Sequence, residues 1–338
     1  MKLKIVEWGM RSRILLFLAG LVLVPSVTYF VILFARGFRL DFRQKEIHST
    51  GILATSSLPE NAQVYVNGVL KTATNSNFNL EPGIYTVEIK KDSFQPWKKT
   101  LNVIAEEVTR ASATLFPIIP SLKSITSAGA SIPIISPDGT KVAFTSGNKS
   151  FLLDLSESPL GLINRQVQEI ATISAAWTIP PKIDLLPILP QTLQNILATS
   201  AANLVWSPRE NKLLYTATAS AIIPDELIRP LPGSNSSPQS RALKPGGIYV
   251  YDVEEDKNFE ITIKNCAWFS DSYHLFCTIP GKITILEYDN SNPTIVYQGP
   301  MEKDFAYPYP SGKQILILTN LNPAIKGSVP NLYAVSLR

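Results

Sequence analysis

Acidic residues are adjacent at two places in this 338-residue chain. Glu106 and Glu107 form a pair, and Glu254, Glu255 and Asp256 form a triplet. Two carboxyl groups at a defined separation across a pocket hydrolyse glycosidic bonds, so a carboxylate-only glycan hydrolase is one interpretation. Both groups also stand beside strand-like segments or at turns, where charge keeps a sheet edge soluble. We favour this second interpretation and predict that the protein is not an enzyme.

Other catalytic patterns are missing from the sequence. The two histidines, His48 and His274, are far apart, and His274 follows a turn, where we expect a solvated side chain. The sequence contains no His-Glu-x-x-His, Gly-x-Ser-x-Gly, Gly-x-Gly-x-x-Gly or Walker motif. We therefore assign no catalytic, cofactor-binding or metal-ligating residue and predict no cofactor. The sequence does not identify the ligand-binding residues.

The two cysteines exclude a disulfide scaffold and a zinc ribbon. If the turn between Cys266 and Cys277 centres on Asp271 and Ser272, the cysteines lie opposite each other on paired strands. In an oxidising compartment they would form a disulfide bond. Two small, buried apolar residues fit the same positions, and the sequence leaves both possibilities open.

Aromatic residues offer stacking surfaces for sugars, but most fit packing roles. Trp206 and Trp268 precede equivalent turns, which favours a shared role in the core. Trp97, Tyr307 and Tyr309 are less constrained by the pattern, and we consider exposure and ligand contact as well as packing for these three.

The distribution of charge argues against nucleic-acid binding. The formal net charge is +4. Residues 1–47 contain eight Lys or Arg against three Asp or Glu, whereas residues 48–338 contain 23 against 24. The basic excess therefore belongs to the N-terminal segment, where it can meet anionic lipid headgroups. No basic surplus remains in the rest of the chain to neutralise phosphates.

The segment 14–35 has 22 consecutive uncharged residues and predicts a transmembrane helix. A cleaved signal peptide is the alternative, but the apolar run is long and no Ala-x-Ala-like site closes it before Arg36. Four basic residues flank each side of the run, so the positive-inside rule does not decide the orientation. We expect a single-pass cell-membrane protein with a cytoplasmic N-terminus and an extracytoplasmic bulk.

Residues 51–116 show five β-like runs separated by turn signals, including Asn67-Gly68 and Pro82-Gly83. The pattern predicts a small antiparallel β-sandwich. Pro59-Glu60-Asn61-Ala62 and the following Val64–Gly68 segment resemble the PEGA domain, with Asn61 in place of a glycine. The resemblance implies a β-sandwich of cell-envelope and surface-associated proteins and implies no catalytic residue. Asn61 fits because asparagine tolerates the left-handed conformation.

A strand–turn–strand pattern recurs four times after the stiff linker at 116–120. The four turns begin at Pro137, Pro208, Ser270 and Pro310. A third strand follows each turn, and outer strands are predicted at 166–172, 259–264 and 294–298. The chain ends without an outer strand for the fourth repeat, and 121–126 can supply it. The segment Ser136–Phe144 resembles the repeats of TolB-like propellers. The recurring pattern predicts a four-bladed β-propeller.

Two insertions interrupt the repeats. Residues 175–202 are apolar and proline-rich, with a helix predicted over 190–201. They are interpreted as a cap on the propeller, with a partner or membrane contact as the alternative. Residues 219–247 contain Ser-Asn-Ser-Ser-Pro-Gln-Ser and are interpreted as an exposed, mobile loop.

The sequence thus predicts a mainly β protein in three parts: an N-terminal tail, anchor and tether at 1–48, a PEGA-like sandwich at 49–117, and a propeller at 118–338. The expected function is binding or scaffolding, with the membrane and a protein or envelope polymer as partners and no nucleic acid. The alternatives are the glycan hydrolase and a sensor or assembly subunit that recruits a separate catalytic chain.

Overall fold

Strands dominate the computed structural model, which describes residues 10–35, 38–41, 46–156, 165–167, 177, 186–229 and 235–338. The described helices are α1, Met10–Ala35, and α2, Gln191–Ser200. Short 3-10 turns occur at Leu186–Ile188 and Glu302–Asp304. The chain is therefore mainly β, as its alternating sequence predicts.

Helix α1 contains the whole of the predicted span 14–35 and includes Pro25. Its side chains are described at residue 15 and at 17–32, and large apolar ones are exposed, with Phe17 at 71%. No helix in the described part of the chain is long and apolar enough to cross a membrane. The helix at these positions is confirmed, whereas its transmembrane character stays a prediction. The tether contains a hairpin of β1, Phe38–Asp41, and β2, Glu46–Ser49.

Two sheets form the sandwich that follows. The three-stranded sheet has the order β6-β3-β9, and the four-stranded sheet has the order β5-β4-β7-β8. Their strands are β3 Gly51–Leu58, β4 Gln63–Val66, β5 Val69–Ala73, β6 Ser76–Leu80, β7 Gly83–Lys90, β8 Trp97–Val103 and β9 Val108–Thr114. Alternate residues point inward, so Leu53, Val64, Val87 and Ile89 are fully buried in one core.

The prediction of an antiparallel sandwich is wrong for one strand pair. Strand β3 pairs with β9 in parallel, with Ile52 opposite Val108 and Leu58 opposite Thr114. Antiparallel pairing is imposed only where a short hairpin joins two strands. The chain crosses the opposite sheet between β3 and β9, so this constraint does not apply to them.

Asparagines occupy the tight turns of the sandwich in the left-handed conformation. Asn61 has φ of 59°, which confirms that asparagine can replace glycine in this tetrapeptide. Asn67 and Gly68 have φ of 49° and 80°, the combination that a two-residue hairpin turn requires. These turns connect β3 to β4 and β4 to β5.

After the sandwich, the described residues form four four-stranded sheets, which we call blades 1 to 4. Blade 1 contains β11 Ile134–Ile135, β12 Lys141–Ser146, β13 Lys149–Asp154 and β14 Arg165–Val167. Blade 2 contains β15 Ala201–Trp206, β16 Lys212–Ala217, β19 Ile248–Asp252 and β20 Lys257–Ile261. Blade 3 contains β21 Cys266–Trp268, β22 His274–Ile279, β23 Lys282–Glu287 and β24 Thr294–Gln298. Blade 4 contains β25 Ala306–Pro308, β26 Gln314–Thr319, β27 Asn331–Ser336 and β10 Leu122–Ser124.

The N-terminal strand β10 pairs antiparallel with β27, with Leu122 opposite Val335. This confirms that 121–126 supplies the missing outer strand of the fourth repeat. The outer strand predicted at 166–172 is described only at Arg165–Val167, and 168–172 lie outside the described residues. The other two outer strands lie within three residues of their predicted positions at both ends.

The turn between the first two strands has the same hydrogen bonds in every blade. The amide of the residue before each turn donates to the carbonyl five residues later, at Ser136, Ser207, Phe269 and Tyr309. The position three residues on has positive φ each time, at Gly139, Glu210, Ser272 and Gly312. The repeat is therefore structural, although only two of the four positions carry the glycine that favours this conformation.

Adjacent blades share hydrophobic clusters, as the sheets of a propeller do. Phe144 of blade 1 packs with Leu316 of blade 4, and Ile315 of blade 4 belongs to a cluster with Ile285 of blade 3. Val250 of blade 2 packs in a cluster with Leu275 of blade 3. These contacts give the blade order 1-4-3-2 through the described core.

Helix α2 packs on blade 2 and lies within one residue of its predicted ends. Leu193 and Leu197 are buried against Tyr215 and Tyr249, as a cap on the propeller requires. Residues 175–176 and 178–185 of this insertion lie outside the described part of the chain.

The insertion at 219–247 is mostly exposed, as predicted, but its described residues also contain a short hairpin and three buried side chains. Within the insertion, β17, Ala221–Ile222, pairs antiparallel with β18, Ala242–Leu243. Leu243 is 2% exposed, and Asn235 is 8% exposed. Polar sequence here serves buried hydrogen bonds, which composition does not distinguish from solvation.

Candidate functional site

The sandwich and the propeller meet at the free edge of β8. The edge amide of Lys98 donates to Oδ1 of Asn292 at 3.0 Å, and Ser236 Oγ donates to the carbonyl of Thr100 at 2.5 Å. Two of the edge groups of β8 thus have partners in the propeller. Covering a strand edge in this way fixes one sheet against another element.

Lys99 carries the charge of this junction. Its Nζ atom lies 2.8 Å from Oε2 of Glu287 and 2.5 Å from Oδ2 of Asp289. Burial lowers the pKa of Lys99, but the two carboxylates outweigh this effect and hold that pKa above its usual range. Burial raises the pKa of Asp289, but Lys99 and the hydroxyls of Ser237 and Ser291 hold it well below its usual range. Lys99 and Asp289 therefore stay charged despite their burial, because each lies against an oppositely charged partner.

Trp97 connects the core of the sandwich to the same carboxylate. Its ring belongs to the sandwich core and is 4% exposed, and its Nε1–H donates to Oε1 of Glu287. Asn292 donates to that oxygen at 3.0 Å. We call Trp97, Lys99, Glu287, Asp289 and Asn292 the junction cluster.

The insertion in blade 2 completes the junction. Asn235 donates from Nδ2 to Oδ2 of Asp289 at 2.6 Å, and its amide donates to Oε2 of Glu255 at 2.7 Å. Ser237 donates to the same Asp289 oxygen at 2.6 Å. The insertion therefore links blade 2, blade 3 and the sandwich at one place.

The linker packs beside the junction cluster. Phe116 is 4% exposed and contacts the His274 ring edge-to-face at 5.8 Å between centroids. His274 is 5% exposed, so the expectation of a solvated histidine is wrong. Its Nδ1 lies 2.6 Å from Oδ2 of Asp271. Burial lowers the pKa of His274, but the hydrogen bond and charge of Asp271 outweigh this effect and raise that pKa above its usual value.

The acidic residues singled out in the sequence are not brought together. Glu106 lies in the turn before β9 with φ of 63° and is exposed. Glu254 accepts a hydrogen bond from Asn211, and Asp256 is buried against Tyr251 and Arg241. Burial raises the pKa of Glu255. These contacts stabilise the turn between β19 and β20.

The structure places the aromatic residues in packing roles. Trp206 packs against the cluster beneath α2, and Trp268 donates from Nε1 to the carbonyl of Val205 at 2.9 Å. Tyr309 is 4% exposed and Tyr307 is half-buried, both in the cluster between blades 1 and 4. The possibility that Trp97 and Tyr309 are exposed to a ligand is therefore wrong, because both are buried.

Cys266 and Cys277 lie opposite each other on β21 and β22 and form a disulfide bond. This pairing confirms the register inferred from the turn at Asp271 and Ser272. Cys277 is fully buried, whereas Cys266 is half-buried. Among the described side chains, no group of three or more His, Cys, Asp or Glu is arranged to hold a metal ion.

Open grooves near the junction and on the sandwich are the candidate binding surfaces. A groove of about 450 Å³ lies between Gln95-Pro96 and residues 292–295. A polar groove of about 360 Å³ lies on the outer face of the β6-β3-β9 sheet. A third, of about 430 Å³, lies beside β5 and includes Val69 and Tyr85. The sequence did not indicate these grooves: the first two join segments that are distant in the chain, and the third forms only when neighbouring strands of the sandwich fold together.

Residues 50–118, which contain the sandwich, match the PEGA domain family. No curated protein matches the chain. Similar solved structures include β-propellers.

Three of the similar solved structures show how low the similarity is. A eukaryotic initiation factor is 11% identical with a TM-score of 0.27, covering 71% of this chain and 46% of that one. The β-propeller domain of the Trilobed protease from Pyrococcus furiosus is 13% identical with a TM-score of 0.22, covering 85% and 68%. The putative TolB from Agrobacterium tumefaciens is 11% identical with a TM-score of 0.22, covering 80% and 78%. The chain spans less than half of the initiation factor, and similarities at these TM-scores carry no argument about function.

Proposed function

We propose that this protein is a membrane-anchored binding or scaffolding protein of the cell envelope, without catalytic activity. Its sandwich and propeller act as one rigid unit that displays a surface to a protein or envelope polymer. The observation that carries this proposal is the junction cluster, in which Lys99 joins Glu287 and Asp289 between the two domains. A buried, fully paired connection holds two binding surfaces at a fixed separation.

The anchor is supported by α1 and its position. The helix runs from Met10 to Ala35, and 14–35 contain no charged residue. A helix of 22 residues is about 33 Å long, close to the hydrocarbon thickness of a bilayer. Among the described residues, apolar side chains of the helix such as Phe17 and Phe30 are exposed, at 71% and 55%.

The extracytoplasmic location is supported by the disulfide bond between Cys266 and Cys277. Disulfide bonds persist in oxidising compartments and are rare in the cytoplasm. A tethered unit on that side of the membrane gains binding strength from confinement, because anchoring raises its effective concentration near envelope partners.

The binding role is preferred to glycan hydrolysis because the acidic groups already have structural partners. Glu287 and Asp289 are paired with Lys99, and Asp256 accepts hydrogen bonds from Tyr251 and Leu227. A sensor or assembly subunit that recruits a catalytic chain shares the same display architecture and is the second candidate.

Membrane extraction tests the anchor in the full-length protein. We expect it to remain in the membrane pellet after alkaline carbonate treatment and to dissolve in detergent. Replacing Val24 and Val27 with Arg should release it, because charge within the hydrocarbon is costly. The matched control replaces Lys123 and Lys149, outside the helix, with Ala. Release of the unaltered protein by carbonate contradicts the anchor.

Protease accessibility tests the orientation. Digestion of the C-terminal region in intact cells supports an extracytoplasmic unit, whereas protection until lysis contradicts it. A cytoplasmic protein of the same cells, followed in parallel, reports whether the cells stayed intact.

A further inference from the structure

We propose that the outer face of the β6-β3-β9 sheet binds a carboxylate-bearing glycan chain, with Arg110 as the residue that recognises the carboxylate. This inference deepens the proposed function by naming the class of its envelope partner, and it rests on that function. The site is the polar groove of about 360 Å³, which we call the Arg110 groove.

The register of three strands builds the groove. Ala54 on the central strand β3 lies opposite Asn77 of β6 on one side and Arg110 of β9 on the other. The next outward row pairs Ser56 with Ser112. Adjacent strands lie about 4.8 Å apart, so the two walls stand about 10 Å apart over a floor of small side chains. That width suits one extended polymer chain.

Arg110 is available to a ligand. It is exposed, and within the described residues its guanidinium has neither a hydrogen bond nor an ion pair. The Asn77 amide across the floor is likewise exposed and unpaired among the described residues. Guanidinium groups bind carboxylates through two parallel hydrogen bonds, which gives both charge pairing and orientation.

The lining is complementary to an anion. Besides Arg110 it consists of small or uncharged polar residues, and it includes no Asp or Glu: Ala54, Thr55, Ser56, Asn75, Ser76, Asn77 and Ser112. The Ser56 hydroxyl donates to Ser112 at 3.0 Å, which leaves the proton of Ser112 free to meet an acceptor. Hydroxyl and amide groups around one cation match a ligand rich in hydroxyls that carries a negative charge.

The same features favour a glycan over an acidic peptide. Peptides that bind to sheets add as an extra strand at a free edge and place alternate side chains in pockets. The floor of this groove is β3, which is paired with β6 and β9 on its two sides. Recognition therefore depends on side chains, and those available suit sugar hydroxyls and a carboxylate.

Binding of polygalacturonate to the full-length protein in detergent tests the inference, with calorimetry as the measurement. We expect binding that weakens at least tenfold in Arg110→Ala and that weakens with added salt. Arg110→Lys keeps the charge but loses the paired hydrogen bonds, so it should bind with intermediate affinity. Lys326→Ala removes an exposed cation from the propeller, outside the three grooves, and should bind as the unaltered protein does.

Two further polymers identify the ligand class. Neutral dextran should bind at least tenfold more weakly than polygalacturonate, and so should poly-L-glutamate. If poly-L-glutamate binds as tightly as polygalacturonate, the groove recognises an acidic peptide as well as it does a glycan, and the inference is overturned. Equal binding by Arg110→Ala, or no binding by the unaltered protein, overturns it too. The thermal unfolding temperature of each variant is measured as a folding control. It should match that of the unaltered protein, because exposed substitutions leave stability nearly unchanged.

Failure of this inference differs from failure of the proposed function. A protein that ignores polygalacturonate but stays in carbonate-washed membranes and is digested in intact cells keeps its proposed role and loses this ligand. If carbonate releases the protein from the membrane, and protease digests it only after lysis, the envelope role is lost, whatever the protein binds in solution.

Discussion

Nζ of Lys99 lies 2.8 Å from Oε2 of Glu287, so residues 188 apart in sequence form one buried ion pair between two domains. The same carboxylate accepts the indole N–H of Trp97. A single side chain of blade 3 therefore holds two inward-facing residues of β8. This connection makes the sandwich and the propeller mechanically one body.

Replacement of Lys99 with Met should destabilise the protein by about 3 kcal/mol, because it leaves the carboxylates of Glu287 and Asp289 buried without a cation. Methionine keeps the aliphatic part of the side chain, so the loss reports the charge. The measurement is the free energy of unfolding from urea denaturation followed by tryptophan fluorescence.

The control for this substitution is Lys98→Ala, which removes an exposed side chain but keeps the main-chain hydrogen bond to Asn292. It should change the free energy of unfolding by less than about 0.5 kcal/mol. Equal effects at the two adjacent positions would contradict the role assigned to Lys99.

The contribution of His274 to stability should depend on pH. Burial lowers the pKa of His274 in the folded state, but the hydrogen bond and the charge of Asp271, reinforced by Glu287 and opposed by Lys99, raise that pKa above its usual value. This contribution is fully present below the unfolded pKa of about 6.5 and is lost as pH rises through the higher folded value. Urea denaturation from pH 5.5 to 9 measures it.

The control for the pH profile is His274→Gln, which cannot take a proton. The difference in free energy of unfolding between the two proteins should shrink as pH rises above about 6.5. A difference that is constant with pH would show that protonation of His274 has no bearing on folding.

Reduction of the Cys266–Cys277 disulfide should lower stability by about 3 kcal/mol, because the bond closes a loop between residues 11 apart. Calorimetry with and without a thiol reductant measures the loss as a lower unfolding temperature. The double variant Cys266→Ser/Cys277→Ser should already unfold at the lower temperature and should not respond to reductant. A response by that variant would mean that the reductant acts elsewhere.

Truncation of Leu193 tests whether α2 is a structural cap. Leu193 is fully buried against blade 2, so Leu193→Ala should cost about 3 kcal/mol through lost packing and a cavity. Ile188, which precedes α2, is 66% exposed, and Ile188→Ala should have little effect on stability. If both substitutions are neutral, the helix does not stabilise the propeller. Urea denaturation gives both values.

Local patterns predicted the elements that depend on neighbouring residues. Asn61 takes the left-handed conformation that its place in the tetrapeptide requires, and Leu122–Ser124 pairs as the missing outer strand. The turn at 271–272 set the opposition of the two cysteines. The parallel β3–β9 pair was not predictable in this way, because no short connection specifies its direction.

The sequence by itself determined the order of the β elements, the four repeated turns, the capping helix and the charge imbalance of the N-terminal segment, because propensity, alternation and turn chemistry are local. Only the tertiary structure decided that Trp97 and His274 are buried, that the polar insertion supports the junction, and that Asn77, Ala54 and Arg110 form one row. Those relationships depend on which distant segments pack together, and the free energy of that packing depends on several segments at once rather than on any single local pattern.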